Sequence, residues 1–246
     1  SKVSQVVMEV HAEPFERPKS TKTTSRYMRQ VQKWCEAFAN NVIGAYRPSR
    51  PSPAVVLELQ GVCWEVAEKI ARSFMQNVSL ISGLREDAKL AIASDVAQLE
   101  ASLHLLAPKH HFAQPPKWYA ELRQFRQVLF LSISDIQTKA NELTLDPIVI
   151  VHFMLARISN RAVPVTCVPY KALNTSIAKY NRWLGQYPTP RILQRFQTLV
   201  EDIRKKLGSG RALSSATLAQ ANASLDMVRD FLTAAQAAPQ AAESVS

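Results

Sequence analysis

Glycine and cysteine are both rare in this chain, and each scarcity removes a class of protein. Glycine accounts for 6 of 246 residues. Neither G-x-G-x-x-G nor G-x-x-x-x-G-K-[ST] occurs, so the loops that bring backbone N–H groups against phosphates are missing. No G-x-S-x-G is present, and Gly208-Ser209-Gly210 follows a helical run, which makes it a C-cap and turn and not a nucleophile elbow. The 3 cysteines, Cys35, Cys63 and Cys167, are far apart and set in apolar runs, as buried reduced thiols of a cytosolic protein would be. Long apolar runs are lacking too. The densest, Ile148 to Leu155, is broken by His152 and stays well short of the roughly 18 residues a membrane span needs. The opening Ser-Lys-Val-Ser-Gln-Val-Val has neither the basic and apolar regions of a signal peptide nor an Arg-rich transit pattern.

What is present is material for helices. Hydrophobic residues make up 47% of the chain, and the 14 prolines fall between apolar-periodic runs, as punctuation. Val3, Val6, Val7 and Val10 form a stripe that resembles a helix entered part-way, the pattern expected of a fragment of a longer chain. Thr23, Thr24 and Ser25 are N-cap candidates for a helix whose stripe is Tyr27, Val31, Trp34, Phe38, Val42 and Ala45. Val55, Leu59, Val62, Val66, Ile70, Phe74, Val78 and Ile81 predict a long second helix, closed by Gly83. Glu86 and Asp87 suit the N-terminus of the next, with Ala88, Ile92, Val96, Leu99, Leu103 and Leu106 inside. These two predict an antiparallel hairpin.

Beyond the 108–116 loop, Trp118, Leu122, Phe125, Leu129 and Ile133 are consistent with one further helix. Asp146-Pro147 supplies an N-cap followed by Pro at the first helical position, opening a short helix apolar on almost every side. Ile148 to Val151 would also suit a buried strand, but no partner strands are evident. Leu173, Ile177, Tyr180 and Leu184 mark a helix ended by Gly185 and Pro188; Thr189-Pro190 starts another with Ile192, Phe196, Leu199 and Ile203, stopped by Gly208. Ser214 or Ser215 begins the last, with Leu218, Ala221, Leu225, Val228 and Leu232 inside. The expected fold is all-α: elongated, stacked antiparallel bundles of about seven to eight helices. The expected organisation is the end of a preceding helix over 1–13, a linker over 14–24, a helical bundle with the long hairpin over 25–145, a C-terminal bundle over 146–234 and a frayed tail over 235–246.

Formal net charge is +10, which favours acidic partners: lipid head groups, acidic protein surfaces or nucleic acid. The charge is uneven. From Glu16 to Arg50 there are 8 basic and 2 acidic residues, from Arg182 to Arg211 there are 7 and 2, and between Glu58 and Glu100 there are 4 and 7. Carboxylates such as Glu58, Glu65 and Glu68 are spread over helix faces, as solvating charge and not as an acid/base pair. His104, His110 and His111 have no Cys or carboxylate at short regular spacing, so no metal or other cofactor is expected, and no catalytic residues.

Several stretches carry a resemblance. Ala67 to Leu103 (AEKIARSFMQNVSLISGLREDAKLAIASDVAQLEASL), Ser25 to Trp34 (SRYMRQVQKW), Leu122 to Phe130 (LRQFRQVLF) and Tyr180 to Leu193 (YNRWLGQYPTPRIL) stand in the order seen in one family. Together they resemble the C-terminal region of subunit five of the conserved oligomeric Golgi complex, a member of the helical-rod tethering group. This chain departs from that pattern at 110–116, and at Gly185 and Tyr187, where the family has an acid and a histidine.

The resemblance implies a non-enzymatic subunit of a multisubunit vesicle-tethering complex, peripheral on the cytosolic face of Golgi membranes or in the cytosol, acting in intra-Golgi retrograde transport. Its implied partners are the other subunits, especially subunit seven, together with fusion proteins, coat machinery or small GTPases. From the residues themselves, contact with a partner or an anionic membrane is expected at the basic cluster Arg204, Lys205, Lys206 and Arg211, and at Trp64, Trp183 and Tyr187. Trp34 and Trp118 lie on apolar stripes and are assigned to the core. The rival reading is a basic helical nucleic-acid-binding module, supported by a pI near 9.7 but lacking a recognition motif.

Overall fold

A computed structural model describes residues 2–13, 25–44, 52–106, 116–158, 163, 166–209 and 214–243. The fold is all-α, with no strand among the described residues. In chain order the helices are α1 Lys2–Met8, α2 Arg26–Phe38, α3 Pro53–Ser79, α4 Glu86–Leu106, α5 Lys117–Val128, α6 Ile133–Thr138, α7 Pro147–Ile158, α8 Pro169–Ala172, α9 Ile177–Leu184, α10 Thr189–Ser209 and α11 Ser215–Glu243. The chain divides into two compact units: unit 1 comprises 1–78 and 84–130, and unit 2 comprises 79–83 and 131–246. The division thus runs between Phe130 and Leu131, whereas the sequence placed a boundary at 145/146.

In unit 1, α2 packs along α4 and is flanked by α1, and α5 packs on α4. Rings tie the elements together: Tyr27 of α2 stacks on Phe74 of α3 with centroids 6.4 Å apart, and Phe74 meets Phe125 of α5 edge-on at 6.0 Å. The buried face of α2 is Tyr27, Met28, Val31 and Cys35, so Cys35 occupies the core position the sequence assigned to Trp34. Trp34 is half-buried and stacks on Phe38 at 5.2 Å. The two assignments differ by one residue, about 100° around a helix, and apolar residues at both positions make the stripe ambiguous. Trp118 is in the core as expected.

The first half of α3 departs further from its stripe. Burial begins at Cys63, while Val55 is 38% and Val62 47% exposed. The periodicity of α3 orients its apolar face correctly, but among the described residues no second surface covers that face before Cys63.

In unit 2, α10 and α7 both pack on α11, α6 packs on α7 and α11, and α8 lies against α10. Helix α7 is buried along nearly its whole length, as its all-round apolarity requires. Its N-terminus is capped by Asp146, whose Oδ1 accepts from the Ile148 N–H at 2.9 Å.

Two single helices expected from the sequence are each two. Ile133 does not continue α5: the chain turns at Leu129 and Phe130, and α6 begins with a reciprocal capping box in which Ser132 and Asp135 satisfy each other's backbone N–H. Leu173 does not join α9: α8 ends at Ala172, Asn174 takes a positive φ of 51°, and the Ser176 side chain caps α9 by accepting from the Lys179 N–H. Gly83 closes the segment after α3 with a φ of 69°, where a Cβ would be strained. Gly208, expected as a stop, lies inside α10, and α11 runs to Glu243 through the Ala/Gln-rich end.

Candidate partner-contact surface

Each unit buries a polar knot, and neither is open to a substrate. In unit 1 the Asp95 carboxylate accepts from the Tyr27 hydroxyl at 2.7 Å and from the Ser25 N–H at 3.4 Å, with Asp95 1% and Tyr27 0% exposed. Burial first, then the adjacent Asp95 charge, holds the Tyr27 phenol well above its ordinary pKa. In unit 2 the Ser79 hydroxyl lies 3.2 Å from His152 Nδ1, and the Tyr180 hydroxyl lies 2.7 Å from His152 Nε2. A neutral imidazole donates from one nitrogen and accepts at the other, so both ring nitrogens are matched. A Ser–His pair suggests a nucleophile and base, but Ser79 and His152 are both 0% exposed, so the pair belongs to the packing of unit 2. All three cysteines are free and buried. Burial pushes the Cys35 thiol up to about 12, which keeps it protonated and unreactive at neutral pH. Among the described residues no group of three or more His, Cys, Asp or Glu could hold a metal, and no helix is long and apolar enough to cross a membrane.

The surface offers more. In unit 2 a ladder of rings runs from α8 to the start of α10: Tyr170 to Tyr180 at 6.4 Å, Tyr180 to Trp183 at 5.8 Å, and Trp183 to Tyr187 at 5.9 Å. A cation closes each end. Lys171 Nζ sits 5.8 Å from the Tyr170 ring centroid and Arg191 Cζ sits 4.4 Å from that of Tyr187. Tyr180 is buried and anchors the ladder to His152, whereas Tyr170, Trp183 and Tyr187 are half-buried. The geometry follows from the local sequence: Tyr180 and Leu184, four apart on α9, face inward, and the Gly185 to Pro188 turn brings Tyr187 back beside Trp183.

The other expected contact residues are separated. Arg204 is engaged inside the unit: its Nη2 donates to Asp226 Oδ1 at 2.6 Å, and Arg229 reaches the same oxygen at 3.1 Å, so Arg204 clamps α10 to α11. Lys205 and Lys206 are exposed. Lys205 borders a shallow depression of ≈ 450 Å³ with Glu201, Asp202 and Arg229. Arg211 lies outside the described residues, as do His110 and His111. Trp64 is half-buried on α3 of unit 1. The structure therefore brings Trp183 and Tyr187 together and leaves the Arg204 cluster divided.

Lys171, Lys179, Arg191 and Arg195 escaped the sequence reading, which sought dense clusters of charge. The signal available was an absence: between Pro147 and Val200 there are seven basic residues and no acidic one.

Compared with known proteins, the chain is 22% identical over 215 residues to conserved oligomeric Golgi complex subunit 5 of Arabidopsis thaliana, covering 85% of this chain and 25% of that protein. It is 26% identical over 148 residues to conserved oligomeric Golgi complex subunit 5 of Mus musculus, covering 58% of this chain and 17% of that protein. The chain thus spans a quarter or less of the curated relatives it matches. No family model matches the chain. No solved structure matches it.

Proposed function

We propose that this protein is a structural subunit of a vesicle-tethering complex at the cytosolic face of the Golgi, working in intra-Golgi retrograde transport by binding sister subunits and the fusion or coat machinery. The observation that carries the reading is the similarity to subunit 5 of the conserved oligomeric Golgi complex, over 85% of this chain in a plant protein and over 58% of it in a mammalian one. The all-α architecture suits it. A tether transmits position, and stacked helices with buried polar knots hold surfaces apart without chemistry of their own. Subunit seven is the sister subunit proposed as the direct partner.

Affinity purification of the tagged chain from its own cells tests this. Co-enrichment of the other Golgi tethering subunits, with subunit seven at near-equal stoichiometry, is the expected result. Recovery of ribosomal or nucleolar proteins in their place, released by nuclease, would overturn the tethering reading in favour of nucleic-acid binding.

A further inference from the structure

Of the seven basic residues between Pro147 and Val200, Arg157 is half-buried against Phe153 and Arg161 lies outside the described residues. The remaining five, Lys171, Lys179, Arg182, Arg191 and Arg195, are all exposed, and none has an ion-pair partner among the described residues. Acidic groups of the neighbouring turns and of α11 do not neutralise them. Glu201 and Asp202 come later along α10, beside Lys205, while Asp226 and Asp230 lie against Arg204 and Arg229.

We infer that this face of unit 2 docks on an anionic phospholipid surface, with the cations of α8, α9 and the first turns of α10 against the headgroups and Trp183 and Tyr187 at the polar–apolar boundary. Like charges without counter-charge repel one another, and a negatively charged leaflet supplies the missing sign. The spacing fits an array of headgroups better than a single anion. Lys171 and Arg191 cap opposite ends of a ladder of four rings whose successive centroids are 5.8 to 6.4 Å apart, so the cations are spread along a line and do not converge on one point. Half-buried Trp and Tyr, with an apolar body and a polar tip, are the side chains that partition to the headgroup level. A nucleic-acid partner is the weaker fit, because base stacking needs open ring faces. Here Tyr180 stacks on Trp183 and Arg191 covers Tyr187.

The inference does not depend on the tethering reading, and its test uses purified components. The whole chain is sedimented with vesicles of phosphatidylcholine plus phosphatidylserine and with vesicles of phosphatidylcholine alone. Binding to the mixed vesicles is expected to fall as salt shortens the screening length. Each cation at an anionic leaflet raises partitioning about fivefold, so Lys179→Gln, Arg182→Gln and Arg195→Gln together should weaken binding by about a hundredfold. These three touch no ring of the ladder in the structure, so the melting midpoint should hold. Lys205→Gln with Lys206→Gln should change binding far less. A readout on the unsubstituted chain covers the case in which the triple variant misfolds: spin-labelled phosphatidylcholine in the mixed vesicles should quench Trp183, with Trp183→Phe as the blank. The proposal is overturned if the triple variant binds like the wild type, if phosphatidylcholine alone binds as well, or if quenching persists undiminished in the blank. Tighter binding of poly-glutamate or single-stranded RNA than of the mixed vesicles at the same salt would also overturn it.

Discussion

The two units each bury a tyrosine hydroxyl in a helical core and satisfy it by different means. In unit 1 the partner is a carboxylate: Asp95 on α4 takes the hydroxyl of Tyr27 and the backbone N–H of Ser25, fixing where α2 begins against α4. In unit 2 the partner is an imidazole: His152 on α7 meets the Tyr180 hydroxyl of α9 on one side and the Ser79 hydroxyl at the end of α3 on the other. The carboxylate is the more demanding solution. Taking its charge out of water is costly, so each lost partner leaves more free energy unrecovered than a lost bond to imidazole does. Unit 1 is therefore specified by a connection it cannot relax, whereas unit 2 relies on a chain of weaker ones with packing of His152 on Phe196, edge-on at 5.6 Å.

Matched substitutions break or sharpen this contrast. Tyr27→Phe deletes a hydrogen bond to a buried carboxylate and should cost about 2 to 3 kcal/mol in urea denaturation. Tyr180→Phe removes a hydrogen bond to imidazole of the same 2.7 Å length and should cost about 1 kcal/mol. If the second equals or exceeds the first, charge is not what separates the two cores. Asp146→Ala removes the cap of α7, the most buried helix of unit 2, and should cost about 1 kcal/mol with the far-UV helical signal retained.

The smallest effect is a slope in alkali. Cys35 has its pKa raised from 9.0 to about 12, and the Tyr119 hydroxyl from 10.0 to about 12, in both cases chiefly by burial. Below pH 9 both states of the thiol are protonated and the shift has no effect. As pH rises past 9 the unfolded thiol ionises while the folded one does not, so stability declines from there towards pH 12, joined by Tyr119 above pH 10. Both groups are in unit 1. Thermal melts between neutral pH and pH 10.5 should show the midpoint falling, and Cys35→Ala should flatten the first part of that fall. A midpoint that rises or stays level across the window contradicts the assignment.

Much of this architecture is legible in local chemistry. Asp146-Pro147 marks the start of α7, Gly83 marks a turn that needs a positive φ, and Glu86 and Asp87 mark the start of α4; all three lie where expected. The breaks at 129–132 and 173–176 are less visible, because apolar spacing continues across them. Ser132 and Asp135 carry the capping-box signal, but its acid is Asp in place of the commoner Glu or Gln, and Asn174 interrupts through a backbone conformation with no apolar signature. Of the candidate surface, Trp183 and Tyr187 could be named in advance as aromatics near a helix end. Their cationic neighbours could not, because Lys171 and Arg191 meet the same ladder only after α8, α9 and α10 have packed.

By itself the sequence determined that the chain is helical, where most helices begin, and that its charge is positive and uneven, since caps, propensities and period-3.6 spacing act within a few residues. The tertiary structure alone decided which apolar stripes become core. Val55 and Val62 have the same periodicity as Ile70 and Phe74 on α3, yet the first pair is exposed and the second buried. It also decided that Arg204 would be spent on Asp226 while Arg191 would rest on a ring. The reason is physical. A residue's direction around its own helix is a local property, but burial and ion pairing require a second surface, and that surface comes from residues distant in the chain.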